Sequence, residues 1–308
     1  MTRIVLLSQD SDLTELRKTM QLKAPDISVH LPGEADAHLA EVAVCWNPPQ
    51  GSLGALKNLR LVHSLAAGVD HLRTDSSCPD VPVCRVVDPD LRRAMAEYVL
   101  WGVLHHHRHF DQMLANQAQS LWREPVQRPA SSWTIGVMGL GDLGAHVAEL
   151  LASLSFNVRG WARSPKTIAN VSTWAGPEQF GDFLNGVDCL ICLMPLTDET
   201  QGILNASTFS QLNPGAVVIN CGRGGHVVMD DLLQALASDT LSAALLDVFE
   251  HEPLAADDPL WQTPGLTITP HIASSATHEC IAEQVIANVS RLNNNLTLHN
   301  QVNTRAGY

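Results

Sequence analysis

The chain has 308 residues, 45% of them hydrophobic, and a formal net charge of −13. That length lies beyond the size at which single cores usually stop growing, so two domains are expected, and the acidic balance argues against nucleic acid or an anionic membrane as partner. The apolar run in MTRIVLLSQD is too short for a signal peptide, and no later stretch reaches the roughly 18 apolar residues of a membrane span. The seven cysteines are odd in number and scattered, so they fit the reduced thiols of a cytoplasmic protein better than a secreted disulfide framework.

In chain order, strand-like runs fall first near Ile4, Val42, Val62 and Val83 and suggest a small α/β domain. Trp46 follows the second run. It could wall off a pocket and limit its size, or simply pack. A helical stretch from about residue 94 to 117 is interrupted by HHHRH, which places His105 and His109 one helical turn apart. Zinc needs three or four convergent ligands and the run contains no acid, so no metal site is expected. Residues 123–132, containing Pro and Ser, read as an exposed connector.

Residues 134–140 then read as a buried strand, and GLGDLG (Gly139, Gly141, Asp142, Leu143, Gly144) opens an apolar helix. In that context the first glycine permits a tight turn, the second lets a pyrophosphate approach backbone N–H groups at the helix N-terminus, and the third allows close helix–strand packing. An ordinary glycine-rich turn is the competing reading. A site selective for NAD usually carries an acid about 20 residues after the glycines, on the ribose 2′-hydroxyl. Here no acid lies between Asn157 and Pro177, and the strand at 157–161 ends in GWARSPK. Arg163, Ser164 and Lys166 stand where a 2′-phosphate would sit, which favours NADP(H), against the alternative of a solvated basic turn.

Further strand-like runs near Leu190, Val218, Ala244 and Ile268 alternate with helical segments. Together with those near Ile135 and Val158 they predict a doubly wound parallel sheet. Cys189 and Cys192 form a C-x-x-C inside one of these runs, where strand alternation points them to opposite faces. Neither a zinc site nor a redox pair follows. The last three runs end, in order, on Arg223, Glu252 and His271. Residues at the carboxyl ends of parallel strands converge on the ligand crevice of open α/β sheets. A guanidinium, a carboxylate and an imidazole there suit the reduction of a keto acid: hydride arriving at the keto carbon leaves charge on oxygen, to be met by a cation and a proton donor. Glu252 would orient the ring and favour its protonated form. Each residue alone could belong to a structural ion pair.

The strings HSLAAGVDHL, GLGDLG, INCGRGG, LLDVFEHEPL and TPHIA, in this order, resemble the D-isomer-specific 2-hydroxyacid dehydrogenase family over nearly the whole chain. GWARSPK, DVFEHEPLAADDPLWQTPGLTITPHIA and the terminal RAGY resemble its glyoxylate/hydroxypyruvate reductase A branch. The resemblance implies a Rossmann-type doubly wound domain at residues 98–275 and a discontinuous, flavodoxin-like substrate domain at 1–97 and 276–308, with hinges near 97 and 275 whose closure would expel water. It implies NADPH-dependent reduction of glyoxylate or hydroxypyruvate by a cytoplasmic homodimer. Arg223 then binds the substrate carboxylate and keto oxygen, Glu252 pairs with the histidine, and His271 donates the proton. Ala67 and Gly68 hold the carboxylate through backbone N–H groups, Asp247 lies near the nicotinamide carboxamide, and Pro195, Thr200, Cys221 and Ala273 border the cofactor. A broad 2-ketoacid reductase acting on bulkier substrates and a non-catalytic, cofactor-sensing corepressor-like protein are the other readings left open.

Overall fold

The structure is a computed structural model that describes residues 2–9, 11–69, 72 and 77–302. The terminal RAGY, and Asp70 and His71 of HSLAAGVDHL, lie outside the described residues. The chain divides into two compact units, Met1–Leu91 with Ser275–Tyr308, and Arg92–Ser274. The first crossing thus falls between residues 91 and 92 instead of near 97. Its position follows from packing: Met95, Val99 and Val103, on the helix that carries the crossing, are buried in the core of the second unit.

The first unit is a five-stranded parallel sheet of β1 (Arg3–Leu7), β2 (Ser28–His30), β3 (Val42–Cys45), β4 (Leu61–Ser64) and β5 (Val83–Cys84), in the order β2-β1-β3-β4-β5. This is the flavodoxin-like order. Strands β3 and β4 are buried along their whole length; β3 is the apolar run VAVC, whereas β4 buries His63 and Ser64 beside Leu61 and Val62. Strand β2 was not legible in the sequence. It is an edge of three residues, SVH, with one buried side chain. Helix α1 (Thr14–Lys23) packs on the C-terminal helix of the chain, with Lys23 Nζ 2.7 Å from Glu283 Oε1.

The second unit begins within α2 (Pro89–His107), followed by α3 (Phe110–Ala118). Its sheet contains β6 (Thr134–Met138), β7 (Asn157–Ala162), β8 (Ser172–Ala175), β9 (Cys189–Cys192), β10 (Ala216–Asn220), β11 (Leu241–Leu246) and β12 (Leu266–Ile268). All seven strands are parallel, in the order β12-β11-β10-β9-β6-β7-β8, so strand order reverses between β6 and β9. That is a Rossmann-type sheet with one strand more than the six expected. The added strand, β8, is the edge STWA with no buried residue, and Arg159 from β7 lies 5.4 Å over the ring of its Trp174.

Helices cover both faces. Side chains of α2 and of α4 (Asp142–Ser153) fill one core with Ile135, Cys189 and Ile219. Those of α5 (Phe180–Leu184), α6 (Ala206–Phe209) and α7 (Met229–Ala237) fill the other with Leu190, Cys192 and Val218. Cys189 and Cys192 therefore lie on opposite faces of β9, as alternation requires. The C-terminal helix α8 (His278–Asn293) returns to the first unit. The histidine run departs from its expected geometry. His109 adopts φ 57° in the break between α2 and α3, so it does not share a helical face with His105; His107 packs on Trp133 and Phe156.

Candidate active site

Because every strand of the second sheet points the same way, Gly139, Arg163, Pro195, Cys221, Asp247 and Thr269 all follow strands at one edge. The reversal between β6 and β9 opens the crevice where ligands of such sheets bind. Gly139 turns the chain out of β6 at φ 95°. A Cβ on Gly144 would stand 1.8 Å from the Gly139 carbonyl oxygen, so α4 can approach the turn this closely only with glycine there. Gly141, at the N-cap of α4, faces open space, with nothing within 4 Å of a Cβ built on it. The first N–H groups of a helix lack intrahelical acceptors, so this turn offers donors, a positive dipole end and room for a pyrophosphate. Asp142 in the same turn is 3.3 Å from Arg92 Nη1, which offsets its charge. Leu143 packs against the core.

Arg163, Ser164 and Lys166 are exposed just beyond β7, and Thr173 Oγ1 donates to the Lys166 carbonyl (2.7 Å). After β9, Thr200 Oγ1 donates to the Pro195 carbonyl (2.8 Å) and accepts from Thr197 N–H (2.8 Å), closing a compact loop. After β10, Cys221 is buried and its N–H donates to Cys192 O (3.1 Å). Burial, then the neighbouring Asp247 carboxylate, pushes its thiol well above the usual range, so it stays neutral.

Glu252 and His271 are paired. Nδ1 of the ring lies 2.8 Å from Glu252 Oε2, while Phe249 N–H donates to Oε1 (2.8 Å), so both carboxylate oxygens are engaged. Burial works to raise the Glu252 carboxyl, but the His271 bond, the Phe249 N–H and the charges of His271 and Arg223 outweigh it and hold the group below its ordinary value. His271 occupies φ 54°, a left-handed conformation that costs a non-glycine residue on the order of 1 kcal/mol and needs support. Asp247, 1% exposed, provides it. Its carbonyl accepts from His271 N–H (2.9 Å), and its carboxylate accepts from the N–H groups of Ile272 (2.8 Å) and Ala273 (2.9 Å) and from Thr269 Oγ1 (2.7 Å). Tyr98 of α2 completes the chain, 2.5 Å from Thr269 Oγ1. Since that hydroxyl already donates to Asp247, Tyr98 is the donor.

Arg223 sits in a turn pressed onto the segment that leads to Glu252: a Cβ on Gly224 would fall 1.9 Å from the Phe249 carbonyl carbon. Asn220 Oδ1 accepts from Gly222 N–H (3.1 Å) and its Nδ2 donates to Arg223 O (2.9 Å). Arg223 N–H donates to Nδ1 of the fully buried His226 (3.0 Å). Tyr98, Thr269, Asn220 and His226 were not picked out from the sequence. Asn220 and His226 flank Arg223 in NCGRGGH, and polar residues directly beside an apolar strand were the available signal. Tyr98 sits in an apolar helical stretch and gave none.

In the first unit, Trp46 follows β3 and its N–H donates to Leu7 O (3.1 Å). Ala67 and Gly68 follow β4. Ser64 Oγ donates to Gly68 O (2.8 Å) and accepts from Ala66 N–H (3.2 Å), and Arg85 Nη1 donates to Ala67 O (3.4 Å). These bonds hold the turn through its carbonyls.

A Rossmann-type sheet with a glycine turn at its switch point and a carboxylate–imidazole pair at the same edge defines an α/β protein of the nucleotide-dependent oxidoreductase kind. The family described as "D-isomer specific 2-hydroxyacid dehydrogenase, NAD binding domain" matches residues 100–273. A glyoxylate/hydroxypyruvate reductase A of Serratia proteamaculans is 41% identical over 292 residues, 93% of each chain. Among solved structures, a D-isomer specific 2-hydroxyacid dehydrogenase family protein of Klebsiella pneumoniae superposes with a TM-score of 0.94 at 45% identity, covering 99% of this chain and 98% of that one. An NADPH-dependent glyoxylate/hydroxypyruvate reductase of Sinorhizobium meliloti, in complex with NADP and sulfate, gives 0.92 at 34% identity over 100% of both chains. The chain belongs to the D-isomer specific 2-hydroxyacid dehydrogenase family.

Proposed function

We propose that this chain reduces a small 2-keto acid, glyoxylate or hydroxypyruvate, to the D-2-hydroxy acid, glycolate or D-glycerate, with NADPH as reductant. The observation that carries the reading is the His271–Glu252 pair, with the Arg223 charge acting on it, at the same sheet edge as the glycine turn. The similarity to reductases of this name, one of them described as NADPH-dependent, supports it.

The second unit acts as the dinucleotide-binding domain and the first as the substrate domain. The open face of Gly141 and the donors of the α4 N-terminus fit a pyrophosphate, with Asp142, Leu143 and Gly144 lining the turn, and Arg163, Ser164 and Lys166 fit a 2′-phosphate. Pro195, Thr200, Cys221, Asp247 and Ala273 border the rest. When bound, NADPH supplies the hydride. Arg223 stabilises the charge that develops on the keto oxygen and holds the substrate carboxylate; the N–H groups of Ala67 and Gly68 and the ring of Trp46 are the substrate-binding groups assigned to the first unit. Glu252 engages Nδ1 of His271, so the proton leaves from Nε2. The enzyme works as a cytoplasmic homodimer; among the described residues no helix is long and apolar enough to cross a membrane.

The test is the loss of NADPH absorbance with glyoxylate, hydroxypyruvate, pyruvate and phenylpyruvate, run in parallel with NADH. Turnover greatest with the two small substrates and NADPH is expected. Cofactor binding without consumption would replace the enzyme by a sensing protein, and preference for phenylpyruvate would replace the substrate.

A further inference from the structure

We propose that His226 is a positioning residue that holds the substrate-binding arginine and the cofactor-bordering loop in register through its two ring nitrogens. The proposal rests on the role given to Arg223 above and goes beyond it.

His226 is 0% exposed, in the short turn that follows Arg223. Arg223 N–H donates to Nδ1 (3.0 Å), and Nε2 lies 3.3 Å from the Pro195 carbonyl. These two contacts decide the tautomer. A ring nitrogen that accepts from an N–H carries no proton, so Nδ1 is bare and Nε2–H donates to Pro195 O. Nδ1 is also 3.0 Å from Arg223 O, but that oxygen is already served by Asn220 Nδ2 (2.9 Å) and by His226 N–H (3.2 Å), so it does not need the ring. The imidazole is thus a neutral strut with one acceptor and one donor aimed at two different loops.

The ring is also placed sterically. A Cβ on Gly222 would come within 2.9 Å of its Nδ1 and Cε1, so the chain passes against the imidazole only because residue 222 is glycine. Asn220 fixes the same turn from the strand side, through Gly222 N–H and Arg223 O. The backbone N–H and carbonyl of Arg223 are both held by buried side chains, which leaves the guanidinium on a turn with little freedom to wander. A loose turn would cost catalysis without removing any group that touches substrate, because small misplacements of a reacting group are expensive.

Asparagine and glutamine separate the two contacts, since an Asn amide places an oxygen near the position of Nδ1 and a Gln amide places a nitrogen near that of Nε2. His226→Asn keeps the acceptor for Arg223 N–H and releases Pro195; His226→Gln does the reverse. With the wild type reducing a keto acid, His226→Gln is expected to raise KM for the keto acid and lower kcat by about ten-fold while KM for NADPH stays near wild type, and His226→Asn is expected to raise chiefly KM for NADPH. That crossed pattern is one that general loosening of the core does not produce. Equal losses in both variants, or none in either, overturn the proposal while leaving the reductase reading intact. Absence of keto-acid reduction by the wild type, or near-normal turnover by Arg223→Ala, overturns both. Should a variant fail to fold, 15N NMR of the wild-type imidazoles decides: a bare Nδ1 and protonated Nε2 for the buried ring are expected, and a protonated Nδ1 refutes the arrangement.

Discussion

Replacing Glu252 by glutamine removes a charge and little volume, and the structure sets what should follow. Both carboxylate oxygens accept, one from Phe249 N–H at 2.8 Å and one from His271 Nδ1 at 2.8 Å. An amide has a single acceptor, so Glu252→Gln turns one of these bonds into two opposed donors. A hydrogen bond to a charged group contributes about 1.5–3 kcal/mol, and both side chains are 29% exposed, so solvent takes only part of it; a loss of roughly 10- to 100-fold in kcat/KM is expected. Stability gives a second readout. The Glu252 carboxyl is held below its ordinary 4.5, so its contribution is fully present above that value and is lost as pH falls through the depressed folded value. The Tm difference between wild type and Glu252→Gln should therefore be constant from neutral pH down to about 5 and vanish in stronger acid. The assays are NADPH-coupled kinetics from pH 5.5 to 9 and thermal melts from pH 7 down to 3. A variant whose kcat/KM stays within two-fold of wild type, with a Tm difference that does not change with pH, would refute the pairing as a functional one.

Arg163→Ala should weaken NADPH by about 10- to 100-fold and leave NADH nearly untouched, measured as kcat/KM for both at one ionic strength because exposed charge contacts are screened by salt. Equal losses for both cofactors would make GWARSPK a solvated turn. His271→Ala and Arg223→Ala should each lower kcat by about 10²- to 10⁴-fold in protein that remains folded by circular dichroism, and near-normal turnover in either would remove that residue from the mechanism. Gly144→Ala forces a carbon into the Gly139 carbonyl, so α4 must retreat; NADPH affinity by fluorescence titration should drop sharply, and unchanged affinity would show that the turn does not cradle the pyrophosphate.

The fold was legible wherever strands are buried on both faces. CLIC of β9 and AVVIN of β10 are continuous apolar runs because a central parallel strand meets helices above and below. Strands β2 and β8 were not legible because SVH and STWA carry no such run: one residue of β2 is buried and none of β8. The sequence singles out Arg223, Glu252 and His271 because their chemistry is rare at a strand end, and the structure brings Glu252 and His271 into contact. The groups that steady them were not legible. Tyr98 meets Thr269 across 171 positions of sequence, and neither residue type announces a partner at that distance. The boundary between the units was placed late because the sequence shows where α2 is apolar but not which core its apolar face enters.

Cys189 and Cys192 sit back to back on β9, each sealed under a different helical layer, and burial pushes both thiols up, Cys192 to about 12. At neutral pH neither is a thiolate, and an alkylating reagent must wait for a layer to lift. Cys189 becomes reachable only when α2 and α4 separate from the sheet, Cys192 only when the α5 to α7 side does. The strand therefore carries one chemical timer for each face, and the ratio of their labelling rates under mild denaturant reports which layer peels away first.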